Sequence, residues 1–168
     1  MMYLGEWKRK EMEKNQDGFA LVTQKETIEE SQSFILSSTQ GFEIKGLMLE
    51  VYNLNTDVDV IVGNGSDELI QLICLAFLKS ENVVLCPQPS FSMYKKISQV
   101  LGLKFQEVPL LEDFSLDTNQ MIKKIEELDP ALIFLAYPNN PTGNLWSKDD
   151  IDLILKKANG IVVIDEAY

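Results

Sequence analysis

The carboxylate with the clearest potential for chemistry in this sequence is Asp165, which directly follows the apolar run Ile161-Val-Val-Ile164. A carboxylate that is buried alone is costly, so Asp165 at the end of a buried strand needs a partner, and a cationic ring nitrogen would be one. Tyr168 lies three residues further on and could offer its hydroxyl to the same ligand. The alternative is a cap or turn role for Asp165 and core packing for Tyr168.

A second polar group follows an earlier apolar run and reads Asn139-Asn-Pro-Thr-Gly143. Pro141 fixes its own backbone and Gly143 allows a tight reversal, so a plain turn is one interpretation. A plain turn does not require two amides at the tip of a strand, however. Asn140 could therefore present an N–H donor to an oxyanion.

A third segment, Gly63-Asn-Gly-Ser-Asp-Glu68, joins a strand-like run to a helical one. Glycines let the backbone turn sharply, and the N-terminus of a helix offers free N–H groups to an anion. The alternative is an ordinary turn in which Ser66 is the N-cap of the helix. The segment is neither a Walker-type phosphate loop nor the full dinucleotide fingerprint.

Alternating strands and helices from about Asp57 onward would position these residues. Strands are predicted over 58–62, 82–86, 104–110, 131–137 and 161–164, and helices over 66–79, 92–101, 119–128 and 148–158. This order predicts an α/β domain over 57–168, with a mainly parallel sheet covered by helices on both faces. All three polar segments follow strand ends, so one cleft could collect them. Residues 1–56 form a divergent segment, polar over 16–40, with a possible short helix over 44–54.

Composition limits the class of protein. A chain of 168 residues can bury one core, and a net charge of −11 argues against nucleic-acid or anionic-membrane partners. Cys74 and Cys86 lie in apolar runs, which is typical of buried reduced thiols, and without histidine no metal site is expected. The sequence has no membrane-length apolar run and no signal peptide, which favours the cytoplasm.

Four ordered segments carry a resemblance to a known family: Gly63–Glu68, Pro87-Gln-Pro-Ser-Phe-Ser-Met-Tyr94, Tyr137-Pro-Asn-Asn-Pro-Thr-Gly-Asn144 and Asp165-Glu-Ala-Tyr168. From about Leu47 onward the sequence resembles the fold type I aminotransferases that depend on pyridoxal phosphate, and most of all histidinol-phosphate aminotransferase. The resemblance implies pyridoxal 5'-phosphate as cofactor, amino acids and 2-oxo acids as substrates, and a homodimer.

The resemblance also implies how the phosphate and the ring face of the cofactor would be held. Ser66 and Asp67, at the helix start, match positions whose backbone N–H groups bind the phosphate. Phe91 matches the aromatic residue that stacks on the pyridine ring. Stacking needs only a ring face, so phenylalanine suffices where relatives usually carry tyrosine.

Three further residues match positions around the edge of the cofactor ring. Asn140 corresponds to the amide donor to the phenolic oxygen, and Tyr168 to the hydroxyl donor to the same atom. Asp165 corresponds to the carboxylate that pairs with the pyridinium nitrogen. That pair keeps the ring protonated, so that it can accept electrons from the substrate α-carbon.

Other parts of the family pattern are not found in these residues. The Schiff-base lysine belongs downstream of Asp-Glu-Ala-Tyr, so no catalytic residue is expected here, and the C-terminal part of the large domain and the small domain are expected to be absent. Ser92-Met-Tyr-Lys95 lies upstream and is interpreted as carrying a solvated helix lysine. The family's Asn-Glu-x-Pro and Arg-Tyr-Pro segments are not found in 1–50, so Tyr52 inherits no role in a dimer-completed site.

The resulting functional hypothesis is the N-terminal part of an aminotransferase acting on histidinol phosphate and 2-oxoglutarate in histidine biosynthesis, with little or no transamination by these residues alone. One alternative is a non-catalytic or decayed fragment with weak phosphate binding. Another is a related enzyme such as threonine-phosphate decarboxylase. A dinucleotide-binding dehydrogenase is a more distant alternative, because the glycine fingerprint is incomplete.

Overall fold

The structure is a computed structural model that describes residues 19–23, 59–63, 65–79 and 81–167. Its strands are β1 (Phe19–Thr23), β2 (Asp59–Gly63), β3 (Val83–Gln88), β4 (Lys104–Pro109), β5 (Leu132–Ala136) and β6 (Ile161–Asp165). Its helices are α1 (Ser66–Ala76), α2 (Ser92–Val100), α3 (Thr118–Leu128) and α4 (Lys148–Lys157). None of these helices combines the length and the apolar character that crossing a bilayer requires.

The strands form two parallel sheets. β1 pairs with β2, and the larger sheet has the order β4-β3-β5-β6. Each parallel connection in the larger sheet passes through a helix, as parallel neighbours require. The predicted α/β class with a mainly parallel sheet is therefore confirmed.

Helices cover both faces of the larger sheet because successive strand side chains point to opposite faces. On β5, Phe134 belongs to a buried cluster with residues of α1 and α2, whereas Ile133 and Leu135 belong to a cluster with residues of α3 and α4. We call these two sides the α1/α2 face and the α3/α4 face. Asp165 is separated from Val163 of the α1/α2 cluster by one residue, so it continues that face beyond the apolar part of β6.

Helix ends follow local sequence chemistry. The side chain of Asp117 caps α3 by accepting a hydrogen bond from the backbone N–H of Gln120. Asp129 ends the same helix in the left-handed conformation, and Gly102 follows α2 with φ of 76°. The sequence predicts both of these endings, because Asp and Gly tolerate a positive φ and Pro130 cannot continue a helix.

Two features of the strands differ from the sequence prediction. β3 continues through Pro87 to Gln88, past the predicted end at residue 86. Because β3 pairs with β5 only up to Leu85, Pro87 lies where the strand has a single partner, and its missing N–H costs little. β1 falls in the segment 16–40, for which no strand is predicted. This segment is a strand because its main chain pairs with β2, and the pattern of side chains along a sequence does not reveal such pairing. The possible helix over 44–54 lies outside the described residues.

Both cysteines are buried and unpaired, as predicted. Burial raises the pKa of Cys86 to about 12 and also raises the pKa of Cys74. These thiols are therefore protonated and unreactive at neutral pH.

Candidate active site

The strand order places a crevice between β3 and β5. β4 lies on one side of β3, and β5 and β6 lie on the other. The connections from β3 and from β5 therefore run in opposite directions, and they diverge between these two strands. Ligands of open α/β sheets bind at the carboxyl ends of strands where this reversal occurs. β3 and β5 pair only at Val84↔Leu132 and Leu85↔Ile133, so the carboxyl ends of the two strands extend beyond their paired part.

Asn139 ties these two loops together. It is 1% exposed. Its Nδ2 donates to the carbonyl oxygen of Pro89 at 3.0 Å, and its Oδ1 accepts a hydrogen bond from Ser90 Oγ at 2.9 Å. Nδ2 also donates to Thr142 Oγ1 at 2.7 Å. The loop after β3 and the loop after β5 are therefore held in one arrangement by one buried amide. The sequence offers the paired amides as a signal, but assigns a role only to the second.

Asn140 lies in the turn that Asn139 closes. Gly143 N donates to Asn139 O at 2.6 Å and Asn139 N donates to Asn144 O at 2.9 Å. Gly143 has φ of 72°, a value that glycine adopts without strain. Asn140 is half-buried at this turn, in the loop that follows the carboxyl end of β5.

Asp165 ends β6 and is 5% exposed. Its Oδ2 accepts a hydrogen bond from the Tyr94 hydroxyl at 2.6 Å, and its Oδ1 accepts one from the backbone N–H of Ala167 at 3.1 Å. The second bond is an Asx turn, so the turn role that the sequence leaves open is present together with the buried carboxylate. Among the described residues, the ion pairs do not include Asp165.

The surroundings of Asp165 disfavour its charge on balance. Burial raises the pKa of the Asp165 carboxyl, and the hydrogen bonds from Tyr94 and Ala167 oppose this by favouring the ionised form. The carboxylate of Asp67 raises it further. The pKa of Glu166 is also raised, by burial first and by the charge of Asp165 second. Both carboxyls therefore lose free energy on ionising here, and a cationic ligand group would offset that loss.

Phe91 lies three residues before Tyr94, the residue whose hydroxyl donates to Asp165. It is the N-cap residue of α2, and Tyr94 follows in the first turn. The rings of Phe91 and Tyr94 meet edge to face, with centroids 5.4 Å apart and an interplanar angle of 81°. Tyr94 in turn stacks on Phe134, with a centroid distance of 4.7 Å. The ring of Phe91 is half-buried. The sequence assigns no role to Tyr94, although it lies in a segment that carries the resemblance.

The N-terminus of α1 presents backbone donors. Gly65 is the N-cap residue with φ of 82°, no side chain caps the helix, and Ser66 is the first helical residue. The alternative in which Ser66 is the N-cap is therefore wrong. A Cβ at Gly63 would lie 2.8 Å from Leu69 Cδ2, so glycine lets the strand end pack closely on the helix. Asp67, the second residue of this helix, contributes to the raised pKa of the Asp165 carboxyl by its charge, after the larger effect of burial. Tyr168 lies outside the described residues.

Lys95 is the solvated helix lysine that the sequence predicts. It lies on α2, and its Nζ is 2.8 Å from Glu107 Oε1 on β4. The two side chains are 45% and 40% exposed. Lys95 is therefore engaged at the surface of the protein.

A sequence model of the family described as aminotransferase class I and II matches residues 5–168. The chain belongs to this family. The match covers nearly all of the sequence and confirms the family that the four segments predict. An enzyme family is confirmed with it.

Two aminotransferases of known name are similar to this family member. Histidinol-phosphate aminotransferase 2 of Nitrosococcus oceani is 46% identical over 129 residues, which are 77% of this chain and 36% of that protein. Histidinol-phosphate aminotransferase of Thermoanaerobacter sp. is 50% identical over 110 residues, which are 66% of this chain and 31% of that protein. The chain thus spans about a third of the length of these relatives.

A solved structure supports the fold of this aminotransferase-family chain. The histidinol-phosphate aminotransferase from Clostridium acetobutylicum superposes with a TM-score of 0.66 and is 27% identical. The superposition covers 76% of this chain and 37% of that one. The α/β architecture described above is therefore the architecture of part of an aminotransferase.

Proposed function

We propose that these residues form the N-terminal portion of the pyridoxal-phosphate-binding domain, over 57–168, of an aminotransferase that acts on histidinol phosphate and 2-oxoglutarate. The amino donor is proposed from the two relatives at 46% and 50% identity that carry the name histidinol-phosphate aminotransferase. The enzyme would act in the cytoplasm as a homodimer, on an amino acid and a 2-oxo acid.

The single observation that carries the proposal is the buried carboxylate of Asp165. It ends a central run of apolar residues, is 5% exposed, and has a hydroxyl and a backbone N–H, but no described cation, against it. Such a group is costly until a cation neutralises it. A protonated pyridine nitrogen is a cation of the right charge, so the residues present fit pyridoxal phosphate.

The other proposed contacts have matching features in this chain. The backbone N–H groups at Ser66 and Asp67 begin α1 without a side-chain cap, which suits a phosphate group. Phe91 offers a half-buried ring beside Tyr94. Asn140 offers an amide at the crevice, and we propose that Tyr168 donates its hydroxyl to the same phenolic oxygen.

When bound, the cofactor supplies an electron sink for the negative charge that develops at the substrate α-carbon. The chain's own contribution is positional. Asp165 would keep the ring nitrogen protonated by its negative charge and Phe91 would offer its ring for stacking, while Asn139 holds the two loops that carry Phe91 and Asn140. Fixed donors and charges of this kind need no reorganisation during reaction.

We further propose that these 168 residues by themselves bind the cofactor reversibly and transaminate little, because no lysine among them matches the family's anchoring position. The test is to add pyridoxal phosphate to the purified chain, measure binding by absorbance, reduce with borohydride and map labelled peptides by mass. Saturable binding without one stoichiometrically labelled lysine is expected.

The two possible failures of this test are distinct. Stoichiometric labelling of a single lysine would overturn the claim that no anchor lies within these residues. Absence of saturable binding would overturn the cofactor site itself. Asp165→Asn should weaken this binding. Asp149→Asn is the matched control, since Asp149 is exposed on α4 and its loss should leave binding unchanged.

A further inference from the structure

The hydroxyl of Tyr94 is the least expected polar group on the α1/α2 face. Tyr94 is 0% exposed, and its ring lies between Phe91 and Phe134. A phenylalanine would fill the same space, and a hydroxyl buried in apolar surroundings is costly unless it is hydrogen-bonded. It donates to Asp165 Oδ2 at 2.6 Å, a length typical of a hydroxyl bonded to a charged carboxylate.

We propose that Tyr94 is a positioning residue for Asp165: its hydroxyl favours the ionised form of the carboxylate and fixes one orientation of it, ready to pair with the pyridinium nitrogen of the cofactor. This inference rests on the proposed function. Tyr94 touches neither substrate nor cofactor in this role and acts only through Asp165.

The groups around Asp165 explain why such help is needed. Burial opposes ionisation of Asp165 most strongly, and the charge of Asp67 on α1 adds to it. Glu166 places a second carboxyl directly after β6. The register partner on β5 is the apolar Ala136. Within 19–23, 59–63, 65–79 and 81–167, the groups that favour the ionised carboxylate are the Tyr94 hydroxyl from α2 and the Ala167 N–H. Without the hydroxyl, the Ala167 N–H would be the one donor from these residues that opposes burial and neighbouring charge.

The placement of Tyr94 also couples two contacts. Phe91 and Tyr94 are three residues apart at the start of α2 and meet ring to ring. Residues three apart share one side of a helix. One turn of α2 therefore carries both the residue proposed to cover the face of the cofactor ring and the residue that holds the partner of its nitrogen.

The direct test is to measure the pKa of Asp165 in the cofactor-free chain. The chain is labelled with ¹³C at the aspartate carboxyls, and their NMR signals are recorded as a function of pH. Tyr94→Phe keeps the ring and removes the donor, so the pKa of Asp165 should rise by about one to two units. Tyr137→Phe is the matched control: its ring packs against the cluster of the α3/α4 face, and its loss of a hydroxyl should leave the Asp165 titration unchanged. An unchanged titration in Tyr94→Phe would overturn the proposal.

A second readout uses pyridoxal phosphate as the probe. Affinity should fall on the acid side as Asp165 becomes protonated, and Tyr94→Phe should move that midpoint upward by the same about one to two units, while Tyr137→Phe leaves it in place. Normal binding with an unmoved midpoint overturns the role of Tyr94 alone. A wild-type chain that binds no pyridoxal phosphate at any pH overturns the proposed function, and with it the purpose assigned to Tyr94.

If Tyr94→Phe fails to fold, the proposal can still be tested on the wild-type chain. With tyrosine labelled at ¹³Cζ, the Tyr94 resonance should shift with the same midpoint pH as the Asp165 carboxyl. The reason is that protonation of Asp165 changes the hydrogen bond that it accepts from the Tyr94 hydroxyl. A Tyr94 resonance that does not respond to the Asp165 titration overturns the proposal without any substitution.

Discussion

The two faces of the four-stranded sheet are built from the same strands but differ in what they bury. The α3/α4 face packs a cluster of apolar side chains, with Leu85, Ile133 and Leu135 under the helices. The α1/α2 face adds buried polar groups to an equally apolar cluster: the hydroxyls of Tyr94 and Ser98, and the carboxylate of Asp165. These groups are hydrogen-bonded, but burial still raises the pKa of Asp165, so its ionised form is costly on this face. The α3/α4 face therefore serves stability, and the α1/α2 face gives up some stability to hold a charge.

The largest expected effect is a loss of stability from a substitution on the α3/α4 face. Leu135→Ala should lower the free energy of unfolding by about 2–5 kcal/mol, because Leu135 is 0% exposed and its truncation leaves a cavity. Urea denaturation followed by circular dichroism measures this change. Leu145→Ala is the control, since Leu145 is 61% exposed and its truncation should change stability by no more than about 0.5 kcal/mol. Equal effects for the two variants would contradict the core assignment.

On the α1/α2 face, a substitution should raise the stability of the cofactor-free chain instead of lowering it. Asp165→Asn should weaken pyridoxal phosphate binding about 10- to 100-fold, because an ionic hydrogen bond becomes a neutral one. The same change should raise the stability of the cofactor-free chain at neutral pH, because it removes a buried charge. Absorbance titration and urea denaturation measure the two effects, and a loss of both binding and stability would contradict the contrast between the faces.

The sign of the pH dependence sharpens this test. The pKa of Asp165 is raised in the folded state by burial, so the folded chain binds this proton more tightly than the unfolded chain. That contribution to stability is complete below the unfolded pKa of about 4 and is lost as pH rises through the folded pKa. The stability advantage of Asp165→Asn should therefore grow with rising pH and vanish in acid. An advantage independent of pH would exclude charge as its cause.

Asn139→Ala tests the connection between the loops and should have an intermediate effect. The change leaves Ser90 Oγ and the Pro89 carbonyl without the amide that joins them. We expect a loss of about 1–3 kcal/mol in unfolding free energy, and weaker cofactor binding, since both Phe91 and Asn140 lose their support. Ser90→Ala removes one of these bonds only and should cost less. A binding constant unchanged by Asn139→Ala would show that the loops are held by other contacts.

The sequence predicts the periodic parts of this molecule well, because strand and helix patterns record burial directly. It also predicts Asp165 at the end of a buried strand, since an apolar run that stops at a carboxylate is visible along the chain. It does not predict Tyr94 as the partner of Asp165 or Asn139 as the link to Ser90, because these pairs are 71 and 49 residues apart. Contacts at such separations depend on strand order, which side-chain periodicity does not record.

The smallest expected effect concerns Lys95, which tests whether the outer side of α2 takes part in the site. Lys95 and Glu107 are both substantially exposed, so Lys95→Ala should change stability by no more than about 1 kcal/mol. Pyridoxal phosphate affinity and borohydride labelling should be unchanged, because Lys95 pairs with β4 at the surface while Tyr94, its neighbour in sequence, is buried against Asp165. A stoichiometric label on the wild-type chain that disappears in Lys95→Ala would make this lysine an anchoring residue and would extend the functional site beyond the α1/α2 face.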